Sequence, residues 1–260
     1  MSGLLASVRS VDEAEIARRE GADIIDLKDP DHGALAALPA AIIAEAVAWA
    51  PAGTVQSATA GDLPMQPALV AEKVAAIAAL GVGFVKIGLY PEGDPAGCLA
   101  ALARLARRGT RSVIVLFADR QPDFDWIERV AGAGLAGIML DTADKRGRGL
   151  RRHLTDDQLA GFVRRARERG LIVGLAGSLG IADIAPLERL RPDYLGFRGA
   201  LCAGGRGGSV DAAAIRAVRR ALGPPQAPVA ISAAMDAAGA QRAAHSRSAV
   251  SPVTRLAKST

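Results

Sequence analysis

Aromatic residues make up only 3% of this 260-residue chain, and lysine is scarcer still, at five residues against 27 arginines. Without aromatics interleaved among its cations the chain lacks the stacking surface of a nucleic-acid binder. Its net charge of +5 therefore points to small anionic ligands, and no nucleic-acid partner is expected. Cys98 and Cys202 stand far apart with no CxxC, which argues against a disulfide framework or a zinc ribbon and suggests reduced thiols. The three histidines, His32, His153 and His245, show no ligand spacing, so neither a metal nor another cofactor is expected. No apolar run approaches the ~18 uncharged residues of a membrane helix. The opening MSGLLASVRS is too short for a signal h-region and runs into helix-like sequence. A cytoplasmic protein without a membrane partner is the expectation.

Half of the residues are hydrophobic, chiefly aliphatic. They fall into short runs that read as strands at 4–8, 23–28, 54–59, 84–89, 112–118, 136–141, 171–177 and 193–199. Each is followed by a helical pattern, at 11–20, 39–49, 67–80, 95–108, 123–133, 155–169, 181–190 and 210–222. Helix starts carry capping residues such as Thr155. Gly21, Gly81, Gly109, Gly134 and Gly170 stand where a left-handed residue ends a helix. Near-continuous apolar strands joined through helices make a parallel sheet covered by helices. Eight such units predict an α/β fold, a single-domain (β/α)8 TIM barrel over residues 1–223. A doubly wound open sheet is the alternative, but no GxGxxG follows the first strand, and GGRGGS at 204–209 comes after the last one. Residues 224–260 begin with a double proline and are rich in Ala, Ser and Pro. They read as a C-terminal tail, partly disordered or with one helix around 231–245.

Three of the five lysines fall at strand ends. Lys28 closes the second strand, Lys86 lies in the fourth and Lys145 follows the sixth, whereas Lys73 and Lys258 read as surface and tail residues. Catalytic groups of such barrels gather at the C-terminal ends of the strands, so the three would converge in one mouth. In a chain that otherwise uses arginine for charge, a retained lysine suggests an amine that must lose its proton, which a guanidinium cannot do. Chance placement at strand ends, or service only as phosphate counter-ions, is the plainer reading of the same residues. A free lysine titrates near 10.4, and bringing it to about 7–8 takes roughly 4 kcal/mol. Neighbouring cations and partial burial can supply that. One amine would then form a Schiff base while a second moves protons.

Asp141 ends the sixth strand beside Lys145, either as acid or base or as the carboxylate that holds Lys145. Asp26 shares a strand face with Lys28, as ion-pair partner or catalyst. Small residues after strands seven and eight, including Gly177, Ser178, Gly199, Gly204 and Gly205, stand where barrels bind phosphate. Arg198 and Arg206 could add charge there, and SATAGD (57–62), with Ser57, could add hydroxyls to the rim.

Taken together, GADIIDLKDPDHGALAAL, SATAGDLP, FVKIGLY, MLDTADK, GLAGSLG and GFRGALCAGGRGG resemble the (5-formylfuran-3-yl)methyl phosphate synthases of methanofuran biosynthesis. The likeness runs in order from about residue 4 to 222 and leaves the tail out; VLFADRQPDFDW matches least. It implies a class I aldolase-like lyase that condenses two glyceraldehyde 3-phosphate molecules with loss of phosphate and water. Carried over, Lys28 matches the Schiff-base lysine, Lys86 the proton acceptor, and Asp141 with Lys145 the remaining acid/base pair. The expected partners are small phosphorylated aldehydes, and a homo-oligomer is expected. Two rivals keep the barrel: another Schiff-base aldolase or isomerase on a sugar phosphate, and a non-catalytic barrel that binds a phosphorylated ligand or RNA.

Overall fold

The computed structural model describes residues 1–145 and 149–224. Beyond Pro224 the expected tail, with its helix at 231–245, lies outside the described residues. Strands and helices alternate as β1 (Gly3–Val8), α1 (Val11–Arg19), β2 (Ile24–Leu27), α2 (Ala40–Trp49), β3 (Val55–Thr59), α3 (Pro67–Ala79), β4 (Phe84–Gly88) and α4 (Pro95–Ala106). They continue as β5 (Ser112–Phe117), α5 (Trp126–Gly132), β6 (Gly137–Asp141), α6 (Asp156–Glu168), β7 (Ile172–Leu175), α7 (Ile181–Glu188), β8 (Tyr194–Phe197) and α8 (Ala212–Leu222). All eight strands pair in parallel, in chain order, and β1 closes on β8. The fold is the (β/α)8 barrel expected from the sequence, and the open sheet is excluded.

Local chemistry explains the elements. Thr155 and Gln158 form a reciprocal capping box at the start of α6, and Leu159, Phe162, Val163 and Ala166 bury one face of that helix at the spacing of its turns. Gly170 then takes φ 70°, the left-handed position that ends the helix and turns the chain into β7. The fifth helix is shorter than the 123–133 expected. Asp123 accepts the Asp125 N–H at 2.8 Å, and this local turn delays the helix to Trp126.

Two apolar regions result. Leu4, Val8, Ile25, Leu27, Val85 and Leu140 belong to the large cluster that also holds the buried faces of the helices, while Leu5, Ile24, Val55, Phe84, Met139 and Tyr194 cluster inside the barrel. Because strand side chains alternate, each inward apolar residue sits two positions before an inward polar one on its own strand. Leu5 precedes Ser7, Ile24 precedes Asp26, Val55 precedes Ser57, Phe84 precedes Lys86 and Met139 precedes Asp141. A hydrophobic floor thus lies directly beneath a polar layer, at the end of the barrel where the strands terminate. Gly174 is part of that floor. A methyl group there would overlap the Tyr194 ring, so the missing side chain admits the buried tyrosine.

Candidate active site

The polar layer begins with Asp26. Strand register places it between Ser7 on β1 and Ser57 on β3. Both hydroxyls donate to its carboxylate, at 3.1 and 2.6 Å. Lys86 on β4 completes the cluster, donating to Asp26 Oδ2 at 2.8 Å. Burial alone would raise the pKa of Asp26, but the charges of Lys86 and Lys28 and the bonds from Lys86 and Ser57 outweigh it and hold the carboxyl below its usual range.

Lys28 stands one residue past β2. Its N–H donates to the Val8 carbonyl at 3.0 Å, which extends the ladder far enough to fix its direction. The side chain is 4% exposed, and its pKa falls from 10.5 to about 7. Burial is the main cause; Lys145 and Lys86 push the same way, while Asp141 and Asp26 oppose them. Desolvation therefore outranks the neighbouring cations that the sequence reading put first.

Asp141 ends β6 and accepts from Lys145 Nζ and, at 2.7 Å, from the Thr142 N–H. Burial raises its pKa, but the charges of Lys145 and Lys28 win and leave it below the usual carboxylate range. Lys145 is itself depressed, chiefly by burial, against the pull of Asp141. The pair is an ammonium held by a carboxylate, and its proton is looser than that of an ordinary lysine.

Lys28, Lys86, Asp141 and Lys145 line one cavity of about 370 Å³. The turns after β7 and β8 form its opposite wall, with Gly177, Ser178, Arg198 and Gly199. With Arg206, nine of the thirteen candidate site residues thus share this space. Gly177, at φ 112°, packs so closely on Thr142 that a side chain would collide with it. Ser178 next to it holds φ 49° on the cavity wall, an uncommon conformation for a residue with a Cβ. No acceptor among the described residues takes the backbone N–H of Gly177, Ser178, Gly199 or Ala200, as an anion-binding turn requires.

The other four lie elsewhere. Asp26 and Ser57 are enclosed in the layer below the cavity rather than on its wall. Ser57 therefore supplies no hydroxyl to the rim, and Thr59 also turns inward, donating to the Ala36 carbonyl at 2.9 Å. Gly204 and Gly205 are outside the lining. Arg198 lines the cavity, yet its five N–H donors meet five protein acceptors: the carbonyls of Ser7, Arg206 and Gly208 and both oxygens of Glu13. Its charge holds the β8 loop against α1. The cation left at the wall is Arg206, tied to the β2 loop through the carbonyls of Pro30 and Gly33 at 3.0 and 2.9 Å.

Several residues were not singled out from the sequence. Asp119, after β5, accepts the N–H groups of Ala143 and Asp144, each at 2.7 Å, and so fixes the loop that carries Lys145. Asp62 accepts from the Tyr90 hydroxyl at 2.6 Å and from the Leu35 N–H, joining the loops after β2, β3 and β4. The available signal was an acid one to three residues past a strand end, which barrel geometry turns toward the mouth. Among the described residues no group of three or more His, Cys, Asp or Glu could hold a metal ion, and no helix is long and apolar enough to cross a membrane.

A model of the 4-HFC-P synthase family matches residues 4–219. The chain is 48% identical over 200 residues to a Methylorubrum extorquens protein provisionally named (5-formylfuran-3-yl)methyl phosphate synthase, covering 76% of this chain and 82% of that one. It is 38% identical over 210 residues to the (5-formylfuran-3-yl)methyl phosphate synthase of Methanopyrus kandleri, covering 76% and 89%. Among solved structures it is similar to phosphoribosyl anthranilate isomerase from Thermus thermophilus, with TM-score 0.62, 15% identity and 85% and 98% of the chains covered. A 3-hexulose-6-phosphate synthase gives TM-score 0.61 at 18% identity, over 85% and 100%. At these identities the structural likenesses show the fold alone.

Proposed function

The chain belongs to the 4-HFC-P synthase family, and on that footing we propose that it is a (5-formylfuran-3-yl)methyl phosphate synthase serving methanofuran biosynthesis. It is a lyase of class I aldolase type. Two glyceraldehyde 3-phosphate molecules give one furan aldehyde phosphate, one inorganic phosphate and two waters.

The observation that carries this reading is Lys28, a buried amine with a pKa of about 7. About half of it is neutral at that pH, against about four parts in ten thousand for a free lysine. Its Nζ adds to the aldehyde carbon of one triose phosphate and water leaves, so that the iminium becomes an electron sink. The phosphate of that substrate sits on the turns after β7 and β8, beside Arg206. The proton on the adjacent carbon passes to Lys86. Because Lys86 already donates to Asp26, it takes the new proton as it gives the bonded one to the carboxylate. The enamine carbon then attacks the second aldehyde, Lys145, oriented by Asp141, protonates the oxygens that depart, and water finally hydrolyses the imine to free the Lys28 amine.

Borohydride reduction in the presence of glyceraldehyde 3-phosphate, followed by peptide mass analysis, tests the reading. A reduced adduct on Lys28 and growth of furan absorbance in the unreduced reaction are expected. Turnover without an adduct would remove the imine, and an adduct without a furan would leave another aldolase or isomerase.

A further inference from the structure

A second cavity of about 490 Å³ opens at the same end of the barrel, walled by the loops after β3, β4 and β5. We propose that it seats the second phosphorylated aldehyde of the condensation, with Arg120 as the anchor for its phosphate and Tyr90 as the wall nearest the reacting carbons. The inference rests on the two-substrate reading above and gives that reading a place for its second molecule.

Arg120 is the last residue of a 3-10 turn, Ala118–Arg120, that follows β5. Its guanidinium lies over the Tyr90 ring, 5.6 Å from the centroid, and no carboxylate among the described residues lies within ion-pair distance of it. Arg120 is exposed at the rim of the cavity, unlike the buried Arg198 and Arg219, which are committed to Glu13 and Asp23. An arginine on a cavity wall with unmatched donors is suited to a phosphate, whose oxygens its planar fork fits. Two acids share the wall. Asp62 is occupied by the Tyr90 hydroxyl and the Leu35 N–H. Glu92 is exposed, as Arg120 is, and solvent screens both charges until a ligand covers them.

The two cavities share no lining residue, but their walls are linked. Tyr90 stacks on Phe117 with centroids 5.0 Å apart, and Phe117 is the register neighbour of Asp141. Ala143, on the wall of the second cavity, lies between Asp141 and Lys145 in the chain. The preceding residue of the 3-10 turn, Asp119, holds the Ala143 N–H. One short turn therefore presents Arg120 to the second cavity and fixes the loop of the first. A three-carbon phosphate anchored at Arg120 would extend its aldehyde past Tyr90 toward the enamine.

Stoichiometry decides the matter without depending on the imine. In Lys28→Ala protein, which cannot form it, calorimetric titration with glyceraldehyde 3-phosphate should find two molecules per chain. Lys28→Ala/Arg120→Ala should find one, and Lys28→Ala/Arg120→Lys should return toward two. A single site in Lys28→Ala protein, or two sites that survive Arg120→Ala, would overturn the proposal. With Lys28 intact, Arg120→Ala should trap the borohydride adduct as wild type does but need at least tenfold more substrate for furan formation. If the wild type forms no adduct while the titration still shows two sites, the imine reading fails and the second site stands.

Discussion

Asp26 and Lys86 form a 2.8 Å ion pair across the inside of the barrel, on strands that are not neighbours. Strand β3 lies between them and contributes Ser57 to the same carboxylate. Both side chains are closed to solvent, Asp26 at 0% and Lys86 at 3% exposure. The pair is thus a chemical unit assembled by closure of the sheet, and neither charge has another place to go.

Removing one half of it should be expensive. Asp26→Leu leaves a buried ammonium without a counter-charge and is expected to lower stability by about 3–5 kcal/mol. The double variant Asp26→Leu/Lys86→Met should recover most of that loss. Urea denaturation of the three proteins measures both values, and a double variant no better than the single one would contradict the account.

Folding lowers the pKa of Lys28 from 10.5 to about 7. Between those pH values the unfolded chain keeps a proton that the folded protein has released, so this group makes stability rise with pH across that window and level off below it. The full span corresponds to roughly 5 kcal/mol. Lys28→Met should flatten the slope, so that the variant gains most over wild type at pH 6 and least near pH 10. Trapping of the imine should follow the same amine, rising about tenfold per pH unit below 7 and reaching a plateau above it.

Asp141 raises the proton affinity of both Lys28 and Lys145. In Asp141→Asn both amines should therefore titrate lower. The acid limb of the trapping profile is expected to move below pH 7, while furan formation at neutral pH falls by about 10²-fold or more as the acid at Lys145 is lost. A profile that keeps its position would show that Asp141 does not set these amines.

Asp119 touches neither lysine, yet it grips the two residues just before Lys145. Asp119→Ala should lower kcat by about 10²-fold through misplacement of Lys145, with KM changed by less than about threefold. Asp119→Asn keeps one acceptor oxygen and should fall in between. Equal losses in kcat and in the far-ultraviolet dichroism signal would mean that the fold, rather than the loop, had failed.

The barrel was legible because its signals are local. Apolar runs of strand length, Thr155 as a cap and Gly170 as a stop each act within a few residues. The convergence of Lys28, Lys86, Asp141 and Lys145 followed from their places at strand ends once the closure was granted. Arg198 could not be read in this way. Its partner Glu13 is 185 positions away, and nothing near GFRGAL shows that the guanidinium is already taken. Ser57 looked like a rim hydroxyl until register placed it beside Asp26. Asp119 stood in a stretch with no recognisable pattern, and its role depends on a loop 24 residues further on.

The Tyr194 ring, admitted by Gly174, shuts the barrel from below. The lysines therefore occupy a blind alley with one entrance, so whatever reaches Lys28 must leave by the way it came. If a second substrate seats beside Arg120, the molecule bound to Lys28 would have to enter before it.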